Sequence, residues 1–126
     1  MTAPKMTRLG SGPAPVPVAA TPYTVIAGSP DPRGENAYAD PSGLRAGIAI
    51  YGPCTVRLEG YPADEYCFLI EGDLLVTDPD GTVTLYKPGD AFLLPRGYRG
   101  DWHMPNGIRK YYVVFDPAVR PAAAGA

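Results

Sequence analysis

Between Tyr61 and Phe115 the chain reads YPADEYCFLIEGDLLVTDPDGTVTLYKPGDAFLLPRGYRGDWHMPNGIRKYYVVF, broken at short intervals by the turn signals EGD, DPDG, KPGD, PRG and PNG. The apolar runs between them are too short for helices and rich in β-branched and aromatic side chains. Glycine supplies positive φ in such turns, and proline cannot donate to a continuing ladder. The pattern therefore predicts short antiparallel strands joined tightly, in a sheet closed on itself or folded into a sandwich. Asp80-Gly81 is a strong hairpin signal.

Taken in order, the chain offers strands over Tyr23–Gly28 (at an edge), Leu44–Tyr51, Cys54–Leu58 and Glu65–Ile70, then Leu74–Thr77, Thr82–Tyr86, Ala91–Leu94, Asp101–Met104 and Lys110–Phe115. Ser29–Gly43 (SPDPRGENAYADPSG) is dominated by turn formers and reads as a long loop, from which Arg33, Glu35 and Tyr38 could reach the mouth of a site. Residues 1–22 contain GSGPAPVPVAATP and read as an extended arm, free in solvent or laid on a neighbouring subunit. The organisation expected is thus an arm (1–22), one all-β domain (23–116) and an Ala- and Pro-rich tail (117–126). There is no internal repeat and no convincing amphipathic helix.

At 126 residues the chain can bury one core. A formal net charge of -2 gives no reason to expect nucleic acid or an anionic membrane as a partner. No apolar run approaches the ~20 residues that span a bilayer. The N-terminal segment lacks a continuous apolar stretch of the signal-peptide kind, so the expected location is the cytoplasm. Cys54 and Cys67 form no C-x-x-C pair and read as buried reduced thiols.

Two spaced patterns carry more. Gly52 precedes Glu65, which is followed after six residues by Gly72; Gly89 is followed after five by Pro95-x-Gly97, with Gly100 three positions on. These resemble the two signature motifs of the cupin superfamily, G-x5-H-x-H-x3–4-E-x6-G and G-x5-P-x-G-x2-H-x3-N. More narrowly, ADEYCFLIEGDLLVTDPDG, KPGDAFLLPRGYRGDW and IRKYYVVF resemble the small cupins of the ureidoglycine-aminohydrolase-like, ethanolamine-utilisation-associated group. The resemblance spans about residues 46–115. It implies a conical antiparallel barrel of jelly-roll type, often dimeric, with any ligand in the open mouth. The departures are as informative. The first-motif histidines fall on Leu58 and Gly60, or on Glu59 and Tyr61 with the shorter spacer; the second-motif histidine is Gly100 and the Asn is Met104. Of the four common metal ligands only Glu65 remains. The expectation is no cofactor; a metal, were one held, would draw on Glu65, Glu59 and Tyr61.

Glu65 opens an apolar strand, and a carboxylate leaving water must pair with a cation or stay protonated. Lys110 is the first candidate partner and Arg57 the second. That pair is open to two readings: a structural ion pair in a metal-free barrel, or an acid–base couple with Tyr61 as hydrogen-bond donor. If Gly100 faces inward, period-two alternation turns Trp102 inward and His103 outward. Trp102 then serves as pocket wall or core. Tyr51, Arg57, Glu59, Cys67 and His103 complete the candidate substrate contacts, with Cys67 sharing the Glu65 face and inert in the absence of an activating base. The functional expectation is a small cupin that binds a small polar metabolite and performs metal-independent hydrolysis, elimination or isomerisation. Its alternatives are a non-catalytic binding or scaffold protein, and a metal-dependent cupin using carboxylate and tyrosine ligands. A homodimer through edge strands is the expected assembly.

Overall fold

The computed structural model describes residues 3–10, 16–17 and 23–116. They form eleven strands: β1 Val16–Pro17, β2 Tyr23–Gly28, β3 Arg33–Ala39, β4 Leu44–Tyr51, β5 Cys54–Glu59, β6 Asp64–Glu71, β7 Leu74–Thr77, β8 Val83–Tyr86, β9 Ala91–Leu94, β10 Arg99–Met104 and β11 Ile108–Phe115. One sheet runs β1-β3-β4-β11-β6-β9 and the other β2-β5-β10-β7-β8, with every pairing antiparallel. Among the described residues there is no helix, and so none long and apolar enough to cross a membrane.

The inner faces of the two sheets meet over one core that includes Val56, Leu58, Leu69, Leu74, Val76, Leu94, Trp102, Met104 and Ile108. Alternation is clean where it counts: β5 and β6 bury every second residue. Cys54 and Cys67 are both buried and free. Gly72, which ends the first motif, has φ +83°, and a Cβ there would stand 2.1 Å from the Gly107 carbonyl oxygen. Only glycine permits that close approach.

One expectation is corrected. The segment read as a long loop, Ser29–Gly43, contains β3, paired with β4 along its length and with β1 at Val16↔Gly34 and Pro17↔Arg33. Gly34 and Asn36 are poor strand formers, but β4 offers a complete row of backbone partners, and tertiary pairing outweighs local propensity. Gly47 makes this pairing close: a Cβ there would lie 1.8 Å from the Glu35 carbonyl oxygen. Residues 1–2, 11–15 and 18–22 of the expected arm and the tail (117–126) lie outside the described residues.

Candidate functional site

Strand pairing brings Glu65 and Lys110 together from 45 residues apart in sequence. On β6, Glu65, Cys67 and Leu69 face inward; on β11, Lys110, Tyr112 and Val114 do the same, because directly opposed residues share a face and the pairs are Glu65↔Val114, Cys67↔Tyr112 and Lys110↔Leu69. A register shift between Arg109 and Lys110, which leaves Ile70 out of the pairing, sets Lys110 at this depth. Tyr61 comes from the segment before β6. Its amide and that of Gly60 donate to the Tyr98 carbonyl at 3.0 Å, and its carbonyl accepts from Gly97 at 2.7 Å. The Pro95–Gly97 turn thus holds Tyr61 over the carboxylate.

The result is a closed hydrogen-bond cluster. The Lys110 ammonium donates to Glu65 Oε2, the Tyr61 hydroxyl donates to Oε1 at 2.6 Å, and the Cys67 thiol lies 3.0 Å from Oε2 and 3.4 Å from Lys110 Nζ. Glu65 is 4% and Lys110 3% exposed. Lys110 Nζ also lies 5.1 Å from the centre of the Trp102 ring and 5.8 Å from that of Tyr51, so two aromatic faces help compensate its desolvation.

Burial alone would raise the Glu65 pKa, but the Lys110 charge and the hydrogen bonds from Lys110, Tyr61 and Cys67 outweigh it and hold the carboxyl below its usual range. Burial likewise favours neutral lysine, yet the acidic groups facing Lys110 (Cys67, Glu65 and Tyr51) keep the ammonium well above its ordinary value. Burial and the Glu65 charge push the Tyr61 phenol up. Burial raises the Cys67 thiol to about 12, with Lys110 opposing. At neutral pH the cluster is a carboxylate and an ammonium, with Tyr61 and Cys67 both protonated.

A cavity of about 410 Å³ opens onto this cluster. Glu65, Lys110, Tyr61, Tyr51 and Val114 border it, together with Arg45, Ala49 and Tyr112 on β4 and β11, and Arg33, Gly34, Glu35 and Asn36 on β3. Of the three mouth residues expected from the 29–43 segment, Arg33 and Glu35 border it; Tyr38 instead donates to Asp40 at 2.9 Å.

Glu65, Lys110, Tyr61 and Tyr51 are thus brought together as expected. The other sequence-predicted contacts are not. Arg57 and Glu59 alternate with the buried Val56 and Leu58, so they face outward, where Arg57 pairs with Asp101 at 2.8 Å. Neither can reach Glu65, and Glu59 cannot join it around a metal. His103 is exposed beside buried Trp102 and lies 2.7 Å from the Thr55 hydroxyl. Trp102 packs beneath Lys110, bordering only a gap of about 20 Å³ on that side, and is not a wall of the large cavity. Cys67 stands behind the ion pair, fully buried and away from the cavity. The cavity residues that were not anticipated include Arg45, Asn36, Ala49 and Tyr112. Tyr112 shares parity with Lys110 and could have been found from that alone. Arg45 required the β4–β11 register, and Asn36 sat in the segment read as loop.

The side chains do not fit a metal centre. Leu58 and Gly100, opposite each other on β5 and β10, stand where two of the motif histidines would be and carry no donor. Both oxygens of Glu65 are engaged by protein donors, and Lys110 supplies the positive charge. Among the described residues no group of three or more His, Cys, Asp or Glu could hold an ion.

A family model described as the EutQ-like cupin domain matches residues 42–112, more than half of the chain. Among solved structures, a Salmonella typhimurium LT2 protein described as ethanolamine utilization protein Q is 23% identical, with TM-score 0.58 over 68% of this chain and 70% of that one. The Clostridium difficile EutQ protein is 20% identical, with TM-score 0.59 over 68% of each chain. Ectoine synthase from P. lautus is 18% identical, with TM-score 0.60 over 74% and 69%. At such identities the likeness is one of fold. No curated protein gives a significant match.

Proposed function

We propose, from the premise that this chain belongs to the EutQ-like cupin domain family, that it binds a small polar metabolite in the barrel mouth and acts on it by metal-independent acid–base chemistry. The observation that carries this reading is the cavity of about 410 Å³ reaching Glu65, Lys110 and Tyr61, a size suited to a small metabolite. Buried titratable groups with shifted pKa values at the floor of a cavity favour a site over a packed interior.

In this reading Glu65 accepts a proton from the ligand, Lys110 stays charged and stabilises the negative charge left behind, and Tyr61 donates to the developing anion. At rest Glu65 is a weak base, because Lys110 and Tyr61 both favour its ionised form. A ligand that draws either donor towards itself strengthens the base as it binds. The reactions that suit such a set are hydrolysis, elimination or isomerisation of a nitrogen- or carboxylate-bearing compound. Because the ammonium of Lys110 already neutralises Glu65, the proposed chemistry uses no metal.

The complete pairing of Glu65 with Lys110, Tyr61 and Cys67 favours a second reading, a binding protein without turnover. Glu65→Gln decides between them. Loss of turnover on candidate small acids and amides, with ligand binding retained, supports the catalytic role; unchanged turnover removes it.

A further inference from the structure

We infer that the cavity takes a ligand bearing a single carboxylate, held by Arg45 with Asn36 and Tyr112 beside it, while the rest of the ligand lies over Tyr61 and Glu65. This deepens the reading of the cavity as a ligand site and rests on it. By register Arg45 lies opposite Val114 on the inward face, and it borders the cavity half-buried. Among the described residues no carboxylate pairs with it, whereas Arg33, Arg57 and Arg96 are paired with Asp31, Asp101 and Asp64.

The charges around the cavity set the ligand's charge. Lys110 and Glu65 neutralise each other, and Arg33 has Asp31. Glu35 borders the cavity without pairing with Arg45, and by register it belongs with Ile48 on the other face of the sheet. Among the described residues that border the cavity, one cation, Arg45, is left over on the inward face. A monoanion matches it, and a dianion would bring a second charge with no partner. Guanidinium is planar and forked, and so is carboxylate, which makes a two-bond contact the natural fit.

The neighbours complete a donor set. Tyr112 donates to Asn36 Oδ1 at 2.9 Å, fixing the amide so that its NH2 remains available. Gly47 makes room for this, since a Cβ there would stand 3.0 Å from the Tyr112 hydroxyl. The Arg45 charge also acts on Tyr112, lowering a phenol that burial raises. Arg45, Tyr112 and Asn36 therefore form one polar group on the β3–β4–β11 wall.

The test is an NMR titration of isotopically labelled protein with sodium glycolate and, separately, glycolamide, at matched ionic strength set with sodium chloride. Glycolate should shift the Arg45 Nε–Hε signal and the Tyr61 and Tyr112 amides saturably, with glycolamide at least about tenfold weaker. Arg45→Gln should weaken glycolate by about 10- to 100-fold, to the level of the amide, and Arg45→Lys should recover part of the loss. Equal binding of acid and amide at these signals overturns the carboxylate assignment and leaves a ligand cavity standing. Glycolate binding unchanged in Arg45→Gln, or no saturable shift by glycolate, also overturns it. The comparison of acid with amide on the unaltered chain holds whether or not Arg45→Gln folds. A Glu65→Gln protein that still binds glycolate at Arg45 but shows no change in turnover would remove the catalytic reading alone.

Discussion

Two ion pairs tie neighbouring strands together on opposite sides of the barrel wall. Lys110–Glu65 joins β11 to β6 on the inward face, at 4% and 6% side-chain exposure. Arg57–Asp101 joins β5 to β10 on the outward face, with the two residues directly opposed and held by contacts of 2.8 and 3.2 Å, at 49% and 35% exposure. On geometry alone the outer pair looks better, since it is forked and in register. Water reverses the ranking of consequences. The outer charges are screened and can be solvated separately, so losing either leaves little behind. Either inner charge, left alone, is stranded in the core. The comparison separates what holds an ion pair in place from what it costs to break one.

The largest effect should come from Glu65→Ala, which leaves the Lys110 ammonium without its counter-charge. A loss of about 3–5 kcal/mol is expected in urea unfolding followed by circular dichroism. That is a large share of the stability of a domain this size. Replacing both partners, as in Glu65→Leu with Lys110→Met, should restore stability to within about 1–2 kcal/mol of the parent, because no stranded charge remains. A double variant as unstable as the single one would show that packing, not charge, sets the contrast between the two pairs.

The pH dependence follows from the same pair. Glu65 has a lowered folded-state pKa, so its contribution is present above the ordinary carboxylate value of 4.5 and is lost as pH falls through the lower folded value. Lys110 has a raised one, so its contribution is full below the ordinary 10.5 and is lost only as pH rises through the higher folded value. Between those limits this pair leaves the stability flat. The double apolar variant should lose both limbs, which unfolding midpoints measured from acid to alkaline pH will show. Asp101 is also lowered, chiefly by its hydrogen bond from Arg57, but it is too exposed to produce a comparable acid limb.

Tyr61→Phe should act more gently. It removes one donor from a carboxylate that keeps Lys110 and Cys67, at about 1–2 kcal/mol. It should also let the Glu65 pKa rise, moving the acid limb to higher pH. An unmoved limb would mean that Lys110 alone sets the acidity of Glu65.

The two pairs also show what a sequence of this kind discloses. Parity within a strand was legible: it placed Cys67 with Glu65, and Trp102 opposite in sense to His103. On β5 the same parity turns Arg57 away from Glu65 once Leu58 is known to face inward, but the two motif spacers leave the facing of Leu58 and Glu59 open. The Glu65–Lys110 partnership was legible because a carboxylate in an apolar strand demands a cation and few are available. Arg45 was not, since its place in the cavity depends on the pairing of β4 with β11, a register between segments about 65 residues apart in sequence. β3 was hidden for the opposite reason: its residues are turn formers, and only the offered edge of β4 makes them a strand.

The smallest effect should come from Asp101→Asn. The substitution keeps the shape and a hydrogen-bond acceptor for Arg57, and it leaves an arginine that is half-exposed and free to turn into solvent. The unfolding midpoint should therefore shift too little to separate from repeat measurements, and raising the salt concentration should shrink even that difference. The penalty of Glu65→Ala, set by desolvation in the interior, should persist at high salt. If Asp101→Asn instead destabilised the chain as much as Tyr61→Phe, the outer pair would be fixing the β5–β10 register, on which the placement of Trp102 beneath Lys110 depends. Stability would then reach the inner cluster from the outer face, and the two pairs could no longer be treated as independent.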